Sequence, residues 1–198
     1  MCGRYNIEDE EANTVMRQII DEASARLGAP IKTGEIFPTN IAPVLALDGG
    51  GLAALPMVWG FPHFSGKGVI INGKAETLLD KPMFRASALA RRCAIPTTGF
   101  YEWKSMPGQR KKDKYIFRAP ESPILYLAGV FNTCNRTDGV TLPRYVILTT
   151  EAAGAVAQVH NRMPVVLREE ELRAWASDND VMARVLARKG PDLVARRG

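Results

Sequence analysis

The chain has 198 residues, room for one domain with its own core or for two small ones. A hydrophobic content of 46% and a charged content of 24% suit a soluble globular protein and exclude a disordered or fibrous one. Twenty-six Lys and Arg against 21 Asp and Glu give a formal charge of +5, which permits an anionic partner without requiring one.

Three cysteines, Cys2, Cys93 and Cys134, are too few and too scattered for a disulfide framework and point to a reducing compartment. The acidic residues Glu8, Asp9, Glu10 and Glu11 replace the basic start of a signal peptide, and no apolar run is long enough to span a membrane. The expectation is a cytoplasmic protein with no membrane partner.

The chain opens Met1-Cys2-Gly3-Arg4. Loss of Met1 would leave Cys2 with a free α-amine two carbons from a thiol, a 1,2-aminothiol that no internal cysteine offers. With an aldehyde the amine forms an imine, and the thiol then closes a five-membered thiazolidine. The α-amine has a pKa of about 7.7–8.0 against about 10.4 for lysine, so it is far more often unprotonated at neutral pH.

Residues 7–27 read as an amphipathic helix stopped by Gly28-Ala29-Pro30. Strands are expected over 44–47 and 52–59, joined by a hairpin loop at 48–51 and with the second interrupted at Pro56. An aromatic loop follows at 61–68, then a strand over 69–72 and a helix over 81–92. Further strands are expected at 93–96, 100–104, 115–118, 125–131, 144–150 and 165–167, with a polar hairpin loop at 105–112 and a turn at 135–139. A short helix at 151–159 leads to His160, and helices at 169–176 and 180–189 close the chain before a basic, flexible tail over about 189–198. Many short strands with helices at both ends predict one α+β domain, residues 1–198, on a mostly antiparallel sheet.

Three polar residues sit where local structure does not need them. Asn72 ends an apolar strand, Glu102 lies within Gly99-Phe100-Tyr101-Glu102-Trp103-Lys104, and His160 opens His160-Asn161-Arg162-Met163-Pro164. In a strand Glu102 shares a face with Phe100 and Lys104; desolvation there would raise its pKa toward a useful acid–base range, while an exposed pair with Lys104 or an arginine fits the same pattern. The close Cys and His pairs of a zinc site, a nucleophile elbow and a phosphate-binding glycine fingerprint are all missing, so no metal or cofactor is expected. Arg4, Trp59, Lys74, Arg85 and Arg162 mix cations with an aromatic platform, as single-stranded nucleic acid binding requires; a plain core with solvated cations would look the same.

Taken in order, Met1-Cys2-Gly3-Arg4-Tyr5, Trp59-Gly60, Asn72-Gly73-Lys74-Ala75-Glu76-Thr77, Cys93-Ala94-Ile95-Pro96 with Gly99-Phe100-Tyr101-Glu102-Trp103, Leu148-Thr149-Thr150-Glu151 and His160-Asn161-Arg162-Met163-Pro164 resemble the SRAP family, the SOS-response-associated peptidases. The resemblance implies a compact fold with a barrel-like sheet. It also implies a shield for abasic sites in single-stranded DNA, with Cys2 as the covalent nucleophile once methionine aminopeptidase has removed Met1. Glu102 would be the acid–base catalyst, His160 would assist ring opening, and Asn72 would hold the site. It further implies a DNA-binding cleft and a monomer working at the nucleoid. Lys74 stands where the family usually has arginine, and Gly73 where alanine is common. A cysteine peptidase using Cys2 with His160, and a non-catalytic single-strand binding module, are the competing readings.

Overall fold

The computed structural model describes residues 2–10, 13–106, 108, 111–133 and 142–198. Cys134 and the turn expected at 135–139 lie outside the described residues. The early strands are β1 (Tyr5–Ile7), β2 (Gly34–Ile36), β3 (Ile41–Asp48), β4 (Gly51–Trp59), β5 (Phe61–Pro62), β6 (Val69–Ile70) and β7 (Asn72–Lys74). The later ones are β8 (Arg92–Thr97), β9 (Gly99–Lys104), β10 (Asp113–Arg118), β11 (Leu125–Asn132), β12 (Arg144–Glu151), β13 (Arg162–Pro164), β14 (Val166–Leu167) and β15 (Val194–Arg197). The helices are α1 (Thr14–Leu27), α2 (Pro82–Ala90), α3 (Gly154–Ala157), α4 (Leu172–Ser177) and α5 (Asn179–Ala187).

The larger sheet is a barrel. β12 pairs with β4, β4 with β3, β3 with β8, β8 with β11, and β11 returns to β12, so five strands close on themselves. Closure removes the exposed edges an open sheet would carry. It also crowds the interior at Gly129 on β11, where a Cβ would lie 2.5 Å from the Ile95 side chain and 2.8 Å from the Val146 carbonyl oxygen. β7 and β13 add to β12, and β14 adds to β11. The pairings of β12 with β4 and β7 are parallel, so the sheet is mixed.

The second sheet, ordered β15-β10-β9-β1-β2, is antiparallel throughout. The first residues of the chain therefore form an inner strand, with β2 on one side and β9 on the other. Tyr5, Ile7, Ile36, Phe100 and Phe117 face inward and are buried, with the Phe100 and Phe117 rings 5.3 Å apart. α1 lies across β3 and β4. α4 packs on β8, where the buried Arg92 guanidinium donates to the carbonyls of Trp175, Ala88 and Leu89 and to Asn179 Oδ1.

The α+β class and the barrel-like, mostly antiparallel sheet match the sequence expectation, and several element limits do not. The first helix starts at Thr14, not at residue 7. Asn13 Oδ1 accepts from the Met16 N–H as its cap, and Ile7 belongs to β1. Pro56 does not interrupt β4: it sits opposite Pro43, at a pair that exchanges no ladder hydrogen bonds, so neither missing N–H is needed. The strand expected at 69–72 divides into β6 and β7, and Asn72 opens β7 rather than closing β6. The helix expected over 151–159 shrinks to α3 because Thr150 and Glu151 continue β12. The basic tail is not a loose end. Residues 194–197 pair in register with β10, and Arg197 bridges to Asp113 at 2.6 Å.

Candidate functional site

Cys2 lies three residues ahead of Tyr5, the start of β1, and is fully buried. Its Sγ–H points to the Arg4 carbonyl oxygen at 3.7 Å. Burial and the neighbouring Glu102 carboxylate push the thiol well above its ordinary range, against the pull of the Arg4 carbonyl bond. Asn72, at the head of β7, reaches across 70 residues of sequence to donate from Nδ2 to the Cys2 carbonyl at 2.9 Å. β7 is placed for this by its parallel ladder with β12, which sets Asn72 opposite Ile147. Asn72 Oδ1 is buried with no hydrogen-bond partner among the described residues, leaving an acceptor for a substrate hydroxyl.

Glu102 lies on β9 opposite Tyr115, on the inward face with Phe100, and is 3% exposed. Burial raises its carboxyl above the usual carboxylate range, and His160 partly opposes the rise. The side-chain parity expected from sequence holds. Tyr101 and Trp103 point to the other face, where their rings lie 6.4 Å apart.

His160 follows α3, and its backbone N–H donates to the Val156 carbonyl at 2.9 Å. The Arg162 backbone N–H donates to His160 Nδ1 at 3.0 Å, which assigns the neutral ring's proton to Nε2. That nitrogen faces Glu102 Oε2 at 3.9 Å. Beside His160 opens a cleft of about 460 Å3 lined by Trp103, Lys104, Lys112, Gln158 and Asn161. Four segments far apart in sequence thus bring Cys2, Asn72, Glu102 and His160 together.

The five residues expected on DNA fall differently. Trp59 is a correction. It is fully buried, its ring 5.1 Å from Tyr5 and 6.3 Å from Tyr145 in a parallel stack, and its indole N–H donates to the Ile71 carbonyl at 3.1 Å. A strand has no access to it; β4 turns the ring into the core under β1. Tyr5 and Tyr145 share a hydrogen bond between their hydroxyls there.

Arg4 stands on the outer face of the second sheet. Its guanidinium lies 4.2 Å from the Phe37 ring centre and 5.0 Å from that of Trp103, and pairs with Glu35 at 3.0 Å. Lys114 joins the same Glu35 carboxylate. Arg162 forms a two-pronged bridge to Glu76 at 2.7 and 2.8 Å, and donates to the Thr149 carbonyl at 2.6 Å. Lys74 is exposed on β7, and Arg85 is exposed on α2 beside Leu79, Asp80 and Leu89. Gly73 is tight: a Cβ would come within 3.2 Å of Leu148, so a larger residue there asks that side chain to yield.

Sequence reasoning assigned no role to Glu35 or Glu76. The alternation in Gly34-Glu35-Ile36 marks Glu35 as outward-facing, but its partners come from β10 and from the residue before β1, which no local pattern reveals.

A profile of the SOS response associated peptidase (SRAP) family matches residues 1–192. The abasic site processing protein YoqW of Bacillus subtilis is 31% identical over 186 residues, covering 88% of this chain and 80% of its own. The abasic site processing protein YedK of Escherichia coli is 27% identical over 178 residues, covering 88% of this chain and 79% of its own. A Bacteroides thetaiotaomicron protein of known structure superposes with a TM-score of 0.82 at 20% identity, over 99% of this chain and 91% of that one, which speaks to the fold.

Proposed function

This chain belongs to the SRAP family, and from that premise we propose that it captures abasic sites in single-stranded DNA as a covalent thiazolidine through Cys2 after loss of Met1. The observation that supports this reading is the convergence of Cys2, Asn72, Glu102 and His160. Asn72 tethers the Cys2 carbonyl, and the Glu102 carboxylate is close enough to Cys2 to perturb its thiol.

An abasic deoxyribose is mostly a closed hemiacetal, and its aldehyde appears only on ring opening. His160, with its proton on Nε2, assists that opening. The Cys2 amine adds to the aldehyde carbon, and one amine proton moves to the oxygen, giving a carbinolamine. Glu102, whose burial favours the protonated carboxyl, donates to the hydroxyl, which leaves as water and yields the iminium. The Cys2 sulfur then adds to the same carbon, its proton returns to Glu102, and the iminium electron pair goes back to nitrogen. The sum is one aldehyde and one aminothiol giving one thiazolidine and one water, with Glu102 unchanged.

The raised thiol pKa favours this order of events over proteolysis. A cysteine peptidase attacks as a thiolate, which burial disfavours at Cys2, whereas here the amine leads and the thiol follows.

The test is a denaturing gel of Met1-free protein incubated with abasic single-stranded DNA, with intact mass measured in parallel. A slow-migrating adduct, absent in Cys2→Ala and heavier than its parts by their sum less one water, is the expected result. Equal adduct in Cys2→Ala would refute the assignment. Turnover of a peptide without DNA would instead favour the peptidase.

A further inference from the structure

We infer that Glu76 is a resident stand-in for a DNA phosphate, occupying Arg162 until a strand displaces it and so setting how weakly the protein holds undamaged DNA. The inference rests on the single-strand reading proposed above.

Four observations carry it. The Glu76 carboxylate meets both terminal nitrogens of Arg162, at 2.7 and 2.8 Å, the fork geometry in which a guanidinium also grips a phosphate. The pair is asymmetric: the Arg162 side chain is 16% exposed and Glu76 47%, so the carboxylate is the partner that can swing away. The cation would not leave with it, because Arg162 Nη2 also donates to the Thr149 carbonyl at 2.6 Å. Finally, the bridge joins the two segments that carry Asn72 and His160. Glu76 lies just after β7, which begins with Asn72, and Arg162 opens β13 two residues past His160.

An arginine already neutralised in this way adds little to the attraction for an ordinary strand. A phosphate arriving there must first break two charge-assisted bonds, so the net gain from the contact is small. For an undamaged strand this leaves a weak, short-lived complex. An abasic strand meets the same barrier but ends in a covalent bond, so weak initial binding does not limit the yield. Glu76 would thus make selectivity depend on the chemistry at Cys2 rather than on grip, by keeping a competing negative charge in the path of every wrong strand.

The experiment measures equilibrium binding of an undamaged single strand across a salt series, for wild type, Glu76→Gln, Arg162→Ala and the double variant. Because the strand has no aldehyde, the readout is independent of crosslinking. Glu76→Gln is expected to bind about two- to fivefold tighter, the range that follows from releasing a partly exposed pair, and its salt dependence should steepen by about 0.7 for the extra phosphate contact. In the Arg162→Ala background the same substitution should do nothing. Three results would overturn the inference: unchanged or weaker binding in Glu76→Gln, a gain that persists without Arg162 and so reflects only lost surface charge, or no binding of the undamaged strand by any of the proteins. None of these touches the abasic crosslinking gel, by which the function itself is judged.

Discussion

Replacing Asn72 with alanine tests the site at its narrowest point. The substitution removes the Nδ2 donor that meets the Cys2 carbonyl at 2.9 Å and leaves that carbonyl buried without its long-range partner. Stranding a buried acceptor costs about 1–3 kcal/mol. The loss falls on the residue whose amine and thiol must both reach one carbon, so it raises the barrier to capture rather than weakening the hold on DNA. Carried wholly into the barrier, the cost corresponds to crosslinking about 5- to 150-fold slower. The assay is a single-turnover time course, with Met1-free protein in excess over abasic single-stranded DNA, quenched in denaturant and resolved on a gel. A urea melt run alongside shows that the variant is folded at the assay temperature. A folded Asn72→Ala protein that crosslinks within twofold of the wild-type rate would refute the idea that this hydrogen bond places Cys2.

Glu102→Gln should trade activity for stability. The folded protein favours the protonated carboxyl, so the wild type loses stability as pH climbs from the ordinary value of 4.5 through the raised folded value, and keeps it below 4.5. The glutamine variant lacks that loss; it should melt higher than wild type at pH 8 and about level with it at pH 4, while crosslinking slows. Scanning calorimetry at the two pH values decides, and an equal difference at both would sink the titration argument. Trp59→Ala should cost about 3–5 kcal/mol of folding stability, because it empties the space between Tyr5 and Tyr145. If that variant instead keeps its urea midpoint but loses salt-sensitive DNA binding, the assignment of Trp59 to the core is wrong.

The sequence was most legible where chemistry or strict alternation left its mark. Cys2, Asn72, Glu102 and His160 each stood out locally, but their roles came from the family resemblance; two-residue periodicity put Glu102 on the face of Phe100, and only the packing shows that face to be the inner one. Trp59 shows the limit: an aromatic in a strand reads the same whether it faces DNA or a core, and only Tyr5 and Tyr145, distant in sequence, decide it. The barrel was implied by the family resemblance but not by periodicity, since closure depends on β11 returning to β12 and on a parallel contact between β12 and β4. The helix start slipped because Ile7 fits a helical stripe by spacing while its backbone pairs with Gly34. The tail's fate turned on a register with β10 that four exposed, partly basic residues do not advertise.

The position of β1 between β2 and β9 bears on when the aminothiol can be made. Its β9 partner begins at Gly99, so at about 5–20 residues per second the ribosome needs roughly 5–20 s after β1 to deliver it. During that interval the nascent amino end has no completed sheet to enter, and a trimming enzyme has the extended chain it needs. Once β1 docks, Tyr5 is paired with Ile36 and Phe100 and the Cys2 carbonyl is held by Asn72, so the segment is no longer a free extended chain. On the proposed function, each molecule's competence is therefore set while it is still being translated, and copies that fold with the initiator in place stay inert.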